Sequence, residues 1–183
     1  METWLPSSRW LYTALVAVVA AQRLAELAIS RRNVNGLLAA GGVEVGRSHY
    51  PPMVLLHATF LPSCLLEVWW LERPFIRGLG VAMLVALVAA AALRGWVIHT
   101  LGRRWSTRVV CLPGVAPIRG GPYRFLRHPN YLAVVVEMAA LPLVHSAWLT
   151  ALFFTVANLL LLRERVRVEE QALAAAADGV NRD

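Results

Sequence analysis

Five apolar runs, at residues 10–29, 53–71, 79–98, 131–144 and 147–162, leave this chain few ways to fold, because most of its charge lies in the segments between them. The third run carries no charged residue from Leu79 to Leu93 and meets its first at Arg94. At about 1.5 Å per residue, a helix of about twenty residues reaches across the ~30 Å hydrocarbon core of a bilayer. With 58% hydrophobic and 16% charged residues, a soluble domain could not hide its apolar surface. The pattern predicts an all-α, polytopic integral membrane protein of about five transmembrane helices. The 183 residues hold one membrane-embedded domain, 1–183, with no room for a separate soluble catalytic domain.

Residues 10–29 are read as a first span and not as a signal peptide, because further spans follow and Arg23 and Glu26, three apart, can pair on one face of a continuing helix. Residues 30–52 read as a long loop, with a short interfacial helix near 35–40 and punctuation by Gly41-Gly42 and Pro51-Pro52. The second span contains His57, Pro62 and Glu67 and ends on Trp69-Trp70. From His99 to Tyr131 the chain is polar again. The last two apolar runs are joined only by His145-Ser146, which implies a tight helical hairpin, and a charged C-terminal helix follows.

All 18 basic residues are arginine, against 11 acidic ones. The positive charge flanks apolar runs, which points to lipid headgroups and not to nucleic acid. With five spans, the loop at 30–52, the loop after the third span and the tail share one side and hold thirteen arginines, while the other side has Arg9, Arg73 and Arg77. The positive-inside rule makes the arginine-rich side cytoplasmic, at the inner membrane if the cell is bacterial. Cys64 and Cys111 form neither a disulfide framework nor a zinc spacing, and His49 and His57, eight apart, lack a third ligand, so no metal is expected. No Gly-x-Gly-x-x-Gly follows a strand, which excludes the soluble dinucleotide-type sheet.

The chemistry concentrates in Gly121-Pro122-Tyr123-Arg124-Phe125-Leu126-Arg127-His128-Pro129-Asn130-Tyr131 and the apolar run that carries Glu137. Pro129 suits the first position of a helix, whose free amides then face an anionic group. Asn130, Val134, Glu137 and Leu141 share one face, which places the Glu137 carboxylate about two turns inside the apolar zone. It needs a cationic partner there, either a charged ligand or, in a purely structural role, an arginine of a neighbouring helix. After the last run comes Arg163-Glu164-Arg165-Val166-Arg167-Val168-Glu169-Glu170-Gln171. Spacing alone fits a solvated helix with i,i+4 pairs; a hairpin would bring these charges beside His128.

The two motifs, in this order around an apolar hairpin over residues 119–173, resemble the isoprenylcysteine carboxyl methyltransferase family. Arg32-Asn33, Glu44-Val45-Gly46 and His49-Tyr50-Pro51-Pro52-Met53 through His57 further resemble its bacterial branch, which O-methylates alkylpyrones or alkylresorcinols made by type III polyketide synthases. The resemblance implies an S-adenosylmethionine site open to the cytoplasm and a lipophilic acceptor entering from the bilayer. His128, Pro129 and Tyr131 match the cofactor motif, and Arg165 with Glu169 and Glu170 matches the tail motif; Tyr123 and Arg127 lie within the first. On this reading Tyr131 stacks on adenine, Glu169 or Glu170 binds the ribose or amino group, and an arginine binds the carboxylate. The chain departs from the pattern at Ala133, where many members have glycine, and in a tail that lacks the tyrosines usual after the paired glutamates.

Orientation or deprotonation of the acceptor is assigned to Glu137, stabilisation of its anion to Arg127 or Arg94, and the acceptor's entry to His49, Tyr50 and His57. Carboxyl methylation of a prenylated cysteine and N-methylation of a phospholipid amine are the enzymatic alternatives. A non-catalytic lipid-binding or assembly-supporting membrane protein is the alternative of another class.

Overall fold

The computed structural model describes residues 5–47 and 50–180. His49, expected at the acceptor's entry, lies outside the described residues. The order is α1 (Leu5–Ala39), β1 (Val43–Val45), α2 (Tyr50–Trp70), α3 (Arg77–Leu101), β2 (Val109–Cys111), α4 (Pro129–Leu143) and α5 (Trp148–Val180). Short 3-10 turns lie at Gly102–Arg104 and Gly121–Arg124. The protein is mostly helical, and α1, α2 and α3 are long and apolar enough to cross a membrane. α4 is a shorter apolar helix.

α1 outruns the hydropathy that defined the first span, and the segment expected as an interfacial helix near 35–40 is its last turns. The cause is periodicity: Tyr12, Val16, Val19, Glu26, Ser30, Val34 and Leu37 are all buried at helical spacing, so one packed face continues through a polar sequence. The helix stops where Gly41 takes a φ of 87° and the Gly41 and Gly42 amides donate to the carbonyls of Leu38 and Leu37. Pro51 and Pro52 do not punctuate a loop. They occupy the first turn of α2, where a missing N–H removes no helical bond.

β1 and β2 form a two-stranded antiparallel sheet with Val43 opposite Cys111 and Val45 opposite Val109. An all-α reading has no place for it, since three-residue strands carry too little alternation to be seen. It ties the loop after α1 to the loop after α3, and the Arg108 guanidinium reinforces the tie, 3.3 Å from Glu44 and 4.9 Å over the Tyr50 ring.

The core joins all five helices through residues such as Tyr12, Phe60, Leu87, Met138, Leu141 and Phe154. α3 lies against α4, and small residues permit the approach: Ala90, Ala133 and Ala140 are buried, and a Cβ on Gly80 would meet the Phe75 ring at 2.4 Å and the Val144 carbonyl at 2.9 Å. Large apolar side chains face outward instead, among them Val81, Val85 and Val88 on α3 and Leu152, Phe153 and Leu160 on α5. That distribution suits contact with lipid chains. Residues 144–147 connect α4 to α5, which pack side by side, and α5 is one continuous helix in which the fifth apolar run and the charged tail are not separated.

Candidate active site

The loop before α4 is shaped by Gly121, whose φ is 56° and whose α-carbon abuts Thr100; a Cβ there would lie 2.3 Å from Thr100 Oγ1. The turn closes with Phe125 N–H donating to the Pro122 carbonyl at 3.2 Å, and α4 begins at Pro129 with His128 as an N-cap that makes no side-chain capping bond. Tyr131 therefore sits in the first turn of α4. α5 runs back alongside and delivers Arg165, Glu169 and Glu170 to the same place.

There the two motifs meet. The Tyr131 hydroxyl donates to Glu169 and accepts from Arg165 Nε at 2.9 Å, while Arg165 Nη2 donates to the Thr107 carbonyl at 2.6 Å. Thr107 is itself tied to α1 by its amide, which donates to Ser30 Oγ at 2.8 Å. His128 Nε2 lies 3.2 Å from Glu170 Oε1. Burial, with the Glu169 carboxylate adding to it, pushes the Tyr123 phenol up to about 12, and the same two causes push the Cys111 thiol up. The expected stacking partner of Tyr131 is adenine; in the structure its ring stacks on His128, with centroids 5.5 Å apart and planes at 19°. The hydroxyl, by bridging a guanidinium and a carboxylate, organises the cluster.

A second cluster is deeper. Glu137 Oε2 accepts from Arg23 Nη2 at 2.6 Å and from Arg94 Nη2 at 2.8 Å. Glu26 pairs with Arg23, lies 3.8 Å from Arg94 and accepts from Gln22 at 3.1 Å. Two guanidiniums and two carboxylates thus come together from α1, α3 and α4, with Glu137 and Arg94 only 7% and 6% exposed. The two bonds on Glu137 fall on one oxygen, and the buried Nε atoms of Arg23 and Arg94 have no partner among the described residues. The α1 contribution is the part that the assignment of Arg127 or Arg94 omits.

Both clusters touch one cavity of about 680 Å³ with walls dominated by apolar side chains of α1, α2, α4 and α5. Arg23, Glu26, Arg94 and Glu137 line it, as do Tyr131, Arg165 and Thr107, and so do two of the expected acceptor contacts, Tyr50 and His57. His57 is turned toward its own helix, with Nδ1 2.8 Å from the Met53 carbonyl oxygen. Tyr123, His128, Glu169 and Glu170 are not among the lining residues. Neither is Arg127, which is exposed: it sits in the loop before α4, outside the bundle, and does not reach Glu137. Arg23, Glu26, Asn130 and Asn158 line the cavity without having been singled out as site residues. For Arg23, Glu26 and Asn158, a polar group inside an apolar run is the signal that would have found them; Asn130 shares the helix face of Glu137.

Outward-facing apolar helices around a charged, largely apolar cavity define an integral membrane protein with an enzyme-like site. Residues 81–175 match the isoprenylcysteine carboxyl methyltransferase (ICMT) family, and the chain belongs to that family of membrane methyltransferases. It is 34% identical over 164 residues to the uncharacterized protein YpbQ of Bacillus subtilis, covering 89% of this chain and 96% of that one. An uncharacterized protein of Haemophilus influenzae is 28% identical over 159 residues, covering 86% and 92%. No solved structure matches the chain.

Proposed function

We propose that this chain is a single-domain S-adenosylmethionine-dependent O-methyltransferase acting on a lipophilic acceptor with an acidic hydroxyl, a long-chain alkylpyrone or alkylresorcinol. The observation that carries the reading is the Glu137 carboxylate clamped between Arg23 and Arg94 inside an apolar-walled cavity that also reaches Tyr131 and Arg165. An alkyl chain fits such walls, and a polar ring fits the charged centre. The acceptor enters from the bilayer, and a type III polyketide synthase is its natural source.

The outer cluster fits the methyl donor. It offers carboxylates for hydroxyl and ammonium groups and a guanidinium for a carboxylate, and the buried Asn130 Oδ1 has no described partner at the uncapped start of α4. Arg165, Glu169, Glu170 and His128 hold the donor, with Tyr123 beside them. When bound, S-adenosylmethionine supplies a sulfonium methyl: the acceptor oxygen forms the O–C bond as the S–C bond breaks, and the sulfur keeps the bonding pair. Glu137 orients the hydroxyl through its second oxygen and takes its proton. The Nε–H groups of Arg23 and Arg94 stabilise the developing oxyanion. The surrounding apolar walls exclude water and align the acceptor.

α4 and the first part of α5 complete five crossings in this reading, and the arginine distribution supports a donor site on the cytoplasmic side. Carboxyl methylation of a prenylated cysteine is the second reading; the family's description favours it, and the same two guanidiniums suit a carboxylate. An ammonium acceptor is less suited, because the carboxylates of the inner cluster are already paired. Incubating solubilised protein with labelled S-adenosylmethionine and a panel of alkylpyrones, alkylresorcinols, prenylcysteines and phospholipids decides among them. Label on a pyrone or resorcinol oxygen is expected, and label confined to prenylcysteine or phospholipid overturns the assignment.

A further inference from the structure

Several polar side chains line the cavity outside the two clusters, among them Asn158. Asn158, on α5, is 0% exposed, lines the cavity, and has neither its amide nitrogen nor its amide oxygen bonded to any described residue. Its neighbours along the inner face of α5 are apolar, with Phe154 one turn before it and Leu162 one turn after. Packing alone would favour a leucine or methionine, since a buried amide without partners is costly.

Its depth coincides with that of the charged centre. Tyr131 on α4 and Arg165 on α5 are in contact at 2.9 Å. At 1.5 Å per residue, Glu137 lies about 9 Å further along α4 and Asn158 about 10 Å further along α5. The helices run back along each other, so the carboxylate and the amide flank the cavity at nearly one level. Met138 and Phe60 line the same space and offer no hydrogen bond.

We infer that Asn158 is a specificity-determining residue that hydrogen-bonds a second oxygen of the acceptor, while the reacting oxygen occupies the Arg23–Glu137–Arg94 centre. The inference rests on the O-methylation reading and assigns a partner to the second oxygen that both proposed acceptor types carry, a hydroxyl in the resorcinol and a carbonyl in the pyrone. An amide presents one acceptor and a donor pair and so matches either a hydroxyl or a carbonyl. A ring without the second oxygen leaves the buried amide unpaired, which is how a polar pocket rejects a deoxy analogue.

The test compares a 5-alkylresorcinol with the 3-alkylphenol of equal chain length as acceptors. The expected result is a kcat/KM ratio of roughly tenfold to a hundredfold in favour of the resorcinol, beyond the statistical advantage of its equivalent hydroxyls. In Asn158→Leu the ratio collapses toward one, mainly through a higher KM for the resorcinol, while affinity for S-adenosylhomocysteine is unchanged. An undiminished ratio in the variant overturns the inference. So does a ratio near one in the wild-type protein, which decides the matter even where no variant folds. If the wild type methylates an alkylpyrone but neither phenol, this inference fails alone; if it methylates none of the three, the O-methylation reading fails with it.

Discussion

Arg94 and Glu137 stand 43 residues apart in the chain and meet at 2.8 Å, each less than a tenth exposed. Arg23 reaches the same carboxylate oxygen from a third helix. A buried ion pair of this kind rarely repays its desolvation, so it is weak evidence of stability alone. Inside a cavity it is better understood as a charge arrangement kept for a ligand.

Glu137→Gln tests that directly. Removing the carboxylate leaves the buried Arg94 and the half-buried Arg23 each short of a partner and is expected to cost about 3–5 kcal/mol of stability. Turnover at saturating cofactor should fall by roughly a hundredfold or more. The paired variant Arg94→Leu/Glu137→Leu separates the two effects, because Arg23 keeps Glu26. It should unfold within about 2 kcal/mol of the wild type and remain inactive. Thermal unfolding in detergent and transfer of labelled methyl read the two quantities, and full turnover in Glu137→Gln removes Glu137 from the mechanism.

Tyr131→Phe keeps the ring on His128 and deletes the hydroxyl between Arg165 and Glu169. Loss of that bridge should weaken S-adenosylhomocysteine binding about tenfold, the equivalent of ~1.4 kcal/mol. The KM for the acceptor should not move. Equal affinities for the variant and the wild type would show that the hydroxyl organises nothing the donor needs.

Gly121→Ala attacks the loop that sets the start of α4. The new Cβ meets Thr100 Oγ1 at 2.3 Å on a residue whose φ is 56°, so the unfolding midpoint should drop by the equivalent of about 1–3 kcal/mol. Adding Thr100→Ala relieves the collision but not the backbone strain. The double variant should therefore recover part of the loss, leaving about 1 kcal/mol.

Alkaline titration addresses Tyr123. Its folded phenol is raised to about 12, first by burial and then by Glu169, above the ordinary value of 10.0. The neutral form is favoured in the fold, so this contribution to stability is complete below pH 10 and is lost as the pH rises toward 12. Tyr123→Phe should flatten that part of the stability profile, and an unchanged slope would show that the Tyr123 phenol is not its source.

How much of this was legible in the sequence depends on what each residue had to signal. Pro129 marked the start of α4, and the spacing of Asn130, Val134 and Glu137 placed them on one face; all three line the cavity. A hairpin is expected to bring the tail charges beside His128, and Arg165 and Glu169 meet Tyr131 there. The Arg23–Glu26 pairing expected from their spacing is present, but hydropathy failed where packing overrides it: Ser30, read as loop, is buried in α1 because Thr107 satisfies it, and a sliding average cannot see partners. Arg127 shows the opposite error, a motif residue assigned to the centre that the loop turns outward. Asn158 left one amide in an apolar run that also holds Thr150 and Thr155, and only the cavity gives it meaning.

The outer cluster's role as a site for the methyl donor is the claim on which the proposed activity depends. Calorimetric titration of S-adenosylhomocysteine into detergent-solubilised wild-type protein and Glu169→Gln measures this with no knowledge of the acceptor. Saturable binding by the wild type, weakened at least about tenfold in Glu169→Gln, is the predicted result. Failure of the folded wild-type protein to bind, or equal binding by both proteins, would contradict it.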